Sequence, residues 1–430
     1  MRKQTGFRII LLSVFVFIGY GVLYANTDNE QKSVNETNEA TVTLNIVANS
    51  ASSYSIVYGA AGGTVAKNNA TQLVAAIKSI TGCTLTTKTD ATTATTYEII
   101  LGPTNTRADC AEMNTSLGSF GYRIAVSGKK LVITATDANH MVVALKRFET
   151  AILKSSTLAG TGFLNFSNTN DQYADFSQTQ ATLRSIISNG YSYTLSQTLV
   201  CSCPKDGTIY VAQGAGTDAT YFYFCNRTSG DTSSRVYKYK MDGTYVSKTA
   251  AFAGNHSNDL TVDTKNGRVL IVNGTGAPTK LTPINTKTMA VGSDITIGRG
   301  VGALAYCPER DAYAGSQGGS CVFYMGADLS YSSDKNYSRN NTTEGTSAYT
   351  AQGMGCDVDY VYFPMSGSSN NAIVAYDWKG NYKKTFFLSI GTESESLFEI
   401  NGVYYVNFYS SGDGARLYRI NITLSYTSGV

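Results

Sequence analysis

The residues best suited to chemistry are carboxylates, amides and one histidine that stand at the start of short apolar runs. Glu393 and Glu395 lie two residues apart on one run, and His256 lies three residues before Asp259 on another. Strand geometry would separate the two glutamate Cα atoms by about 6.6–6.8 Å, close to the roughly 6.5–9.5 Å between the carboxyl groups of an inverting glycosidase. Side chains at i and i+2 point the same way, however, whereas a glycosidase needs carboxyl groups on both sides of the sugar.

A lyase is a second chemistry that these residues leave open. His256 could act as its base, with a tyrosine among the 30 in the chain as partner, but one histidine does not define such a site. We therefore assign no catalytic residue and leave open whether the chain is an enzyme, favouring binding. The seven candidate ligand-binding residues share a place at the start of a predicted inner strand: Gln197, His256, Asn258, Asp259, Gln352, Glu393 and Glu395.

Degenerate repeats in the second half of the chain predict how these residues are positioned. Short apolar strands alternate with Gly, Asn, Asp and Ser turns, and no helical periodicity occurs for nearly 250 residues. Five inner strands align from Gln197, Asn258, Gly302, Gln352 and Glu395, at intervals of 61, 44, 50 and 43 residues. Each is followed by a turn and a second strand. A period of about 40–50 residues per four strands is typical of a β-propeller.

A second repeated element supports this interpretation. A Tyr-x-x-x-Gly-x-Tyr pattern at residues 239–245 recurs at 376–382, which a pair of β-sandwiches would not explain. We predict five blades over residues 183–430, or six if residues 183–196 pair with the carboxy-terminal strand. Inner strands of a propeller are parallel around one axis, so their first residues should converge at one mouth. A water-filled central channel would also be lined with polar residues, so a solvated channel is the alternative to a ligand site.

The His256 region resembles secreted bacterial propellers that carry a Gly-His-x-Asn-Asp motif before an inner strand. Here the order is Gly254-Asn255-His256, so the match is partial.

The first half of the chain has a different pattern. Strands are predicted at 41–48, 54–58, 97–101, 122–126 and 130–134, and helices at about 69–81, at 107–117 and after Asp137. Gly82 suits a helix C-cap and Asp137 an N-cap. Apolar stripes on two helices predict a compact α/β sandwich over residues 41–166. A polar stretch at 167–182 is predicted to link it to the propeller, giving a multidomain α/β plus all-β chain.

Residues 45–155 carry a resemblance in the order Tyr54–Tyr58, Ile80-Thr-Gly82, Gly102-Pro-Thr-Asn-Thr-Arg107 and two further strands. This part resembles the non-catalytic α/β domain that precedes the catalytic barrel in hexosaminidase-like and α-glucuronidase-like glycoside hydrolases. That domain has no catalytic residues, so the resemblance implies an accessory role. Gly102, Thr104, Asn105 and Arg107 are expected to form turns and packing contacts. The departure is that no barrel pattern follows.

Residues 1–25 are predicted to be a signal peptide or an uncleaved amino-terminal anchor. Arg2, Lys3 and Arg8 form a positive region, residues 9–23 are apolar, and cleavage could follow Ala25. Residues 26–40 read as a polar spacer. Charged residues make up 15% of the chain, against about 25% on average, and 34 Lys+Arg balance 31 Asp+Glu. This composition favours an exported, carbohydrate-associated protein and excludes a strongly basic nucleic-acid binder.

Eight cysteines follow the predicted leader. They allow 105 disulfide pairings, but their irregular spacing within apolar strands favours buried thiols. A zinc site is not expected because Cys201-x-Cys203 has the wrong spacing and only two histidines could help. No other metal or cofactor is expected, since the sequence around Asp263 lacks the later Glu of a calcium loop.

The favoured hypothesis is a secreted or surface-held monomer that binds a polysaccharide or a cell-surface glycan at the propeller mouth. A polysaccharide lyase or glycoside hydrolase, and an adhesion or structural module, are the alternatives.

Overall fold

The computed structural model describes residues 42–115, 117, 121–153, 164–167, 181–274, 278–317, 321–411 and 414–429. They belong to one compact unit, Val42–Val430. The predicted leader, the spacer and most of the predicted linker lie outside the described residues.

The first part is an α/β region, as predicted. A two-stranded antiparallel ribbon joins Thr43–Val47 (β1) to Leu164–Ser167 (β7). A five-stranded sheet has the order β3-β2-β4-β6-β5, in which only β5 is antiparallel. Its strands are β2 (Ser55–Tyr58), β3 (Thr86–Thr89), β4 (Glu98–Leu101), β5 (Tyr122–Ser127) and β6 (Lys130–Ala135). The helices are α1 (Gly63–Thr81), α2 (Ala108–Thr115) and α3 (Ala138–Phe148), with a 3₁₀ turn at Ala60–Gly62 and a π turn at Glu149–Leu153.

The predicted caps form here. Gly82 takes a left-handed conformation (φ 74°) and donates its N–H to Lys78 O, and Asp137 accepts from His140 N. α1 begins six residues earlier than predicted because its first turns are polar and carry no apolar stripe. β3 was missed for a similar reason, since it is a short, mostly polar edge strand. α2 and α3 lie at their predicted positions.

Five antiparallel sheets follow as the blades of a propeller. Blade 1 has β9 (Ile209–Thr217), β10 (Tyr221–Thr228), β11 (Ser234–Lys240) and β12 (Tyr245–Lys248). Blade 2 has β13 (Leu260–Asp263), β14 (Arg268–Val272), β15 (Lys280–Asn285) and β16 (Ile295–Thr296). Blade 3 has β17 (Ala303–Cys307), β18 (Ala312–Gln317), β19 (Cys321–Gly326) and β20 (Tyr331–Ser338).

Blades 4 and 5 complete the ring. Blade 4 has a divided inner strand, followed by three regular ones: β21 (Thr350–Ala351) and β22 (Gly355–Cys356), then β23 (Tyr360–Ser366), β24 (Asn371–Asp377) and β25 (Tyr382–Leu388). Blade 5 has β26 (Glu393–Ile400), β27 (Val403–Ser410), β28 (Gly414–Ser425) and, outermost, β8 (Ser192–Cys203). Two short helices are α4 (Leu183–Asn189), before β8, and α5 (Asn341–Glu344), before blade 4.

The ring closes through β8, the strand that precedes blade 1. It pairs along its length with β28, from Ala415↔Cys203 to Ser425↔Ser192. The expected pairing with the carboxy-terminal strand therefore exists, but it completes the fifth blade and adds no sixth. The five-blade prediction is confirmed.

One strand assignment was wrong. The strand from Gln197 was predicted to be an inner strand and is instead part of the outermost strand of blade 5, while β9 is the inner strand of blade 1. The burial patterns explain the difference, because β8 is largely exposed on alternate residues and β9 is buried almost throughout. Gly214 in β9 leaves no room for a Cβ atom against Leu260 of blade 2.

The α/β region and the last blade are packed together. One apolar cluster contains Phe148 and Ile186 together with Leu424. Asn139 adds two hydrogen bonds, donating to Ile422 O at 2.9 Å and accepting from Leu424 N at 2.8 Å. An experiment on this protein should therefore keep the α/β region and the propeller together in one chain.

Of the helices in the described part of the chain, none combines the length and apolar composition that a membrane crossing requires.

Candidate functional site

The inner strands of the five blades surround one axis, and the segment before β13 contains unusual backbone. Asn255, His256 and Ser257 all have positive φ angles, 38°, 85° and 50°. Consecutive non-glycine residues with positive φ angles are strained, and this conformation persists only when surrounding contacts stabilise it. Ser257 Oγ donates to Ser234 Oγ at 2.8 Å, and a Cβ atom on Gly254 would overlap both hydroxyls. The Gly-Asn-His-Ser run therefore forms a fixed left-handed turn that sets the position of His256.

His256 belongs to a row of three polar side chains contributed by two blades. Its Nδ1 lies 3.1 Å from Asp231 Oδ2, and Asp231 Oδ1 lies 2.6 Å from Arg227 Nη1. The side chains of His256 and Asp231 remain 22% and 37% exposed, so both can be reached from solvent. The sequence patterns above did not identify Asp231 and Arg227 as site residues. The signal was available, because the Ser-Gly-Asp turn after Arg227 joins the second and third strands of a blade, on the side where inner strands begin.

Asp259 has a structural position. It is fully buried, and its carboxyl oxygens accept backbone N–H groups from Leu260 at 2.8 Å, Leu304 at 3.0 Å and Met354 at 3.2 Å. Burial raises the pKa of Asp259 well above its usual range, although these three bonds oppose the rise. Its carboxyl group thus ties the inner strands of blades 2, 3 and 4 together, and its hydrogen-bonding capacity is used within the protein.

Glu395 lies beside Asp259 in a β-bulge. Ser394 pairs with Phe408 and Ser396 with Asn407, which leaves Glu395 without a partner residue. Bulges of this kind re-aim side chains. Glu395 is 4% exposed. Burial, the nearby Glu393 carboxylate and Asp259 raise its pKa well above the usual range, while Arg227 opposes the rise. Burial therefore favours the uncharged form of the Glu395 carboxyl group.

Gln352 and Glu393 complete the group. Gln352 Nε2 donates to Glu393 Oε1 across blades 4 and 5, and both residues retain solvent contact. The neighbouring Gly353 allows the close approach, because a Cβ atom there would overlap the backbone oxygen of Glu395 and lie 3.0 Å from Asp259 Oδ1. Arg227 connects this pair to the row that contains Asp231 and His256, because its charge acts on Glu395. We call the six polar residues, which come from four blades, the mouth cluster: Arg227, Asp231, His256, Gln352, Glu393 and Glu395.

Two further predicted site residues are not part of the mouth cluster. Asn258 precedes Asp259 in the chain, but its amide donates to Gly302 O and so links blades 2 and 3. Gln197 is opposite Ile420 on the outer strand pair of blade 5, away from the inner strands, so its predicted place at the mouth was wrong. The described residues show no cluster of three or more histidine, cysteine or carboxylate side chains that could hold a metal ion.

In the α/β region, the Gly102–Arg107 motif makes internal contacts. Asn105 Nδ2 donates to Val57 O at 3.0 Å. Arg107 pairs with Glu98, which is fully buried and also lies 3.0 Å from Lys88 Nζ. These contacts join the motif to the parallel strands.

No protein-family model matches the chain, and no curated protein is significantly similar to it in sequence. Solved structures with related architecture exist. Glutaminyl cyclase from Myxococcus xanthus is 11% identical over 53% of this chain and 97% of its own, with a TM-score of 0.39. The PQQ-bound aldose sugar dehydrogenase from Streptomyces coelicolor is 7% identical over 54% of this chain and 100% of its own, also with a TM-score of 0.39. These likenesses are too distant to assign a site or an activity.

Proposed function

We propose that this protein is exported and binds glycan chains at the propeller mouth. The observation that supports this most directly is the mouth cluster, in which four blades present polar side chains near the buried carboxyl group of Glu395. Asp259 was predicted to be a ligand-binding residue, but we assign it a structural role because its carboxyl oxygens accept backbone N–H groups from three inner strands. The predicted leader and the low charge content agree with an exported carbohydrate-associated protein, and we propose an accessory role for the α/β region.

The chemistry of the mouth cluster suits a polyol. A protonated Glu395 can donate and accept, Gln352 offers an amide, and the exposed Glu393 and Asp231 accept hydrogen bonds from hydroxyl groups. Each neutral hydrogen bond contributes about 0.5–1.5 kcal/mol net. A few such bonds to one sugar would give an affinity near millimolar. Useful affinity would then come from several contacts along a polymer.

The test is affinity electrophoresis of the whole exported chain through gels that contain neutral polysaccharides of different linkage. Glu395→Gln keeps a neutral side chain of the same shape, whereas Glu395→Ala removes it. We expect Gln to retain binding and Ala to weaken it about tenfold, which corresponds to about 1.4 kcal/mol.

His256→Ala and Glu393→Ala should weaken binding by smaller factors. Glu112→Ala, on an exposed face of α2, is the matched control and should bind as the wild type does. If every mouth variant binds as the wild type does, the mouth is a solvated channel, and the adhesion or structural alternative is favoured.

A second candidate function is hydrolysis of the same polymer. The observation that favours it is the raised pKa of Glu395 beside the exposed Glu393, since a general acid needs a raised pKa. The same variants separate the two functions. An enzyme would shorten the polymer, and Glu395→Gln would stop the shortening while keeping the binding. A lyase using His256 would instead leave a double bond in its product.

A further inference from the structure

A second groove lies in the α/β region, between the β1 ribbon and the amino-terminal ends of β2, β4 and β6. Its volume is about 580 Å³, and it is lined by residues 42–45, 48, 51–54, 97 and 128–129. This volume falls within the range of roughly 300–1,000 Å³ that is usual for small-ligand sites. The groove belongs to different elements from the mouth cluster and shares no residue with it.

Tyr97 provides an aromatic surface in this groove. It is 39% exposed, and its ring packs against Tyr54 with 5.4 Å between centroids. Tyr54 is fixed in turn, because its hydroxyl donates to Lys129 O at 3.0 Å. Burial raises the pKa of Tyr54 to about 12, so the hydroxyl remains a donor at neutral pH. Tyr97 therefore combines a partly exposed ring with a contact to a hydrogen-bonded neighbour, an arrangement suited to packing against the C–H face of a sugar.

Three polar side chains that line the groove with Tyr97 make no hydrogen bond within the described part of the chain. Thr43, Asn45 and Ser53 are exposed, and no hydrogen bond in the described part of the chain uses their side chains. Ser52 is different, since its hydroxyl donates to Ile46 O and accepts from Tyr54 N. Three free hydroxyl or amide groups beside an exposed aromatic ring match an oligosaccharide better than an apolar ligand.

The positive charge of Lys129 favours an anionic sugar over a neutral one in this groove. Lys129 is exposed, and its Nζ lies 5.8 Å from the centroid of the Tyr97 ring, within cation–π distance. None of the described lining residues is acidic. A ligand that packs on Tyr97 would therefore place its substituents beside one positive charge and no negative charge. From these observations we propose that this groove binds an anionic glycan through Tyr97 and Lys129.

The test uses the full exported chain and polygalacturonate as the probe, in affinity electrophoresis at low salt. Methyl-esterified polygalacturonate has the same sugar backbone with the charge removed, and it serves as the matched ligand. We expect the acid form to retard the protein more than the ester does. Tyr97→Ala should reduce retardation by both forms about tenfold. Lys129→Gln should remove the preference for the acid form and reduce binding up to about fivefold, the range of an exposed ion pair.

The control variant is Lys67→Gln, which removes an exposed lysine from α1 at a distance from the groove lining. Equal losses in Lys67→Gln and Lys129→Gln would mean non-specific attraction to a polyanion and would overturn the proposal. Retardation by poly-glutamate equal to that by polygalacturonate would overturn it in favour of an acidic peptide ligand. Circular dichroism of each variant excludes misfolding as the cause. Variants at the mouth should leave this retardation unchanged, so the two sites can fail separately.

Discussion

Replacing Asp259 should lower the free energy of unfolding of the propeller, because the Asp259 carboxyl group holds three inner strands together. In wild type, the fully buried carboxyl group accepts N–H groups from its own strand and from Leu304 and Met354, on the inner strands of blades 3 and 4. Asp259→Ala leaves all three donors without an acceptor. A buried donor without a partner costs about 1–3 kcal/mol, so the expected loss is about 3–9 kcal/mol. That is a large part of the roughly 5–15 kcal/mol by which folded proteins are stable.

Asp259→Asn is the informative partner variant. One amide oxygen can still accept from Leu304 and Met354, but the amide nitrogen would then face the N–H of Leu260. We expect this variant to lose about 1–3 kcal/mol, the cost of one unmet donor. Asp359→Ala is the control, because the Asp359 side chain is 52% exposed and its ion pair with Arg184 is long, at 3.6 Å. It should change the unfolding free energy by less than about 1 kcal/mol.

The assay is urea unfolding followed by circular dichroism at pH 5 and pH 8. Burial raises the pKa of Asp259 in the folded state. The stability that its proton contributes is therefore fully present below the unfolded pKa of about 3.9 and is lost as pH rises through the folded pKa. The advantage of wild type over Asp259→Asn should consequently shrink as pH rises. A loss below 1 kcal/mol in Asp259→Ala at both pH values would refute this account of the carboxyl group.

Four further outcomes follow from the same contacts. Gly353→Ala should lower the free energy of unfolding by about 1–3 kcal/mol or more, because the new Cβ atom would overlap backbone atoms. Gly298→Ala has open space around it and should leave the stability unchanged. Urea unfolding of the two variants tests this difference. Burial opposes the lowering of the Glu98 pKa, but hydrogen bonds and neighbouring cations lower it. The stability advantage over Glu98→Gln should thus be present above about pH 4.3 and fall as pH drops through the folded pKa, as acid titration of unfolding would show. Burial raises the pKa of Glu399 to about 7, so wild type should lose stability relative to Glu399→Gln between about pH 5 and pH 8, by at most about 3 kcal/mol. The seven described cysteines are buried thiols, and mass spectrometry after native labelling should show at most one modified cysteine until denaturant is added.

The repeat period made the propeller predictable, and most strands followed from alternation and turn residues. The entry of β8 into blade 5 did not follow from local pattern, because Gln197 to Cys203 is as apolar as an inner strand. What distinguishes the two positions is packing between neighbouring blades, which a single strand's sequence does not encode. The Gly214 contact with Leu260 is the physical difference, and it depends on a residue 46 positions away.

The site was predictable as a region and less so as a set of side chains. Alternation along a regular strand would place Glu393 and Glu395 in equivalent surroundings. The bulge at Glu395 breaks that alternation, so one carboxyl group is exposed and the other is buried. Asp231 and Arg227 depend on a hairpin reaching the neighbouring blade. Such contacts arise from the ring, which is why the inner-strand alignment alone could not supply them.

The irregularities themselves occur at corresponding places. Blade 1 has a bulge where Gln213 and Gly214 face Cys225, blade 4 has a break at Gln352–Met354, and blade 5 has the bulge at Glu395. Blade 2 has the left-handed turn before Asp259. With only five blades, inner strands converge closely, and a regular pleat in each would leave no room for the Asp259 carboxyl group on the axis.

The position of the Asp259 carboxyl group therefore limits how a ligand could be placed at the mouth. Its bonds reach from blade 2 to blade 4, which are not neighbours in the ring, so the carboxyl group lies near the axis. If the mouth binds a glycan as proposed, the chain would lie over the mouth cluster, where the middle of a polymer can bind as well as its end. The proposed site would then suit long, repeating chains, because weak single contacts add up when many units are presented together.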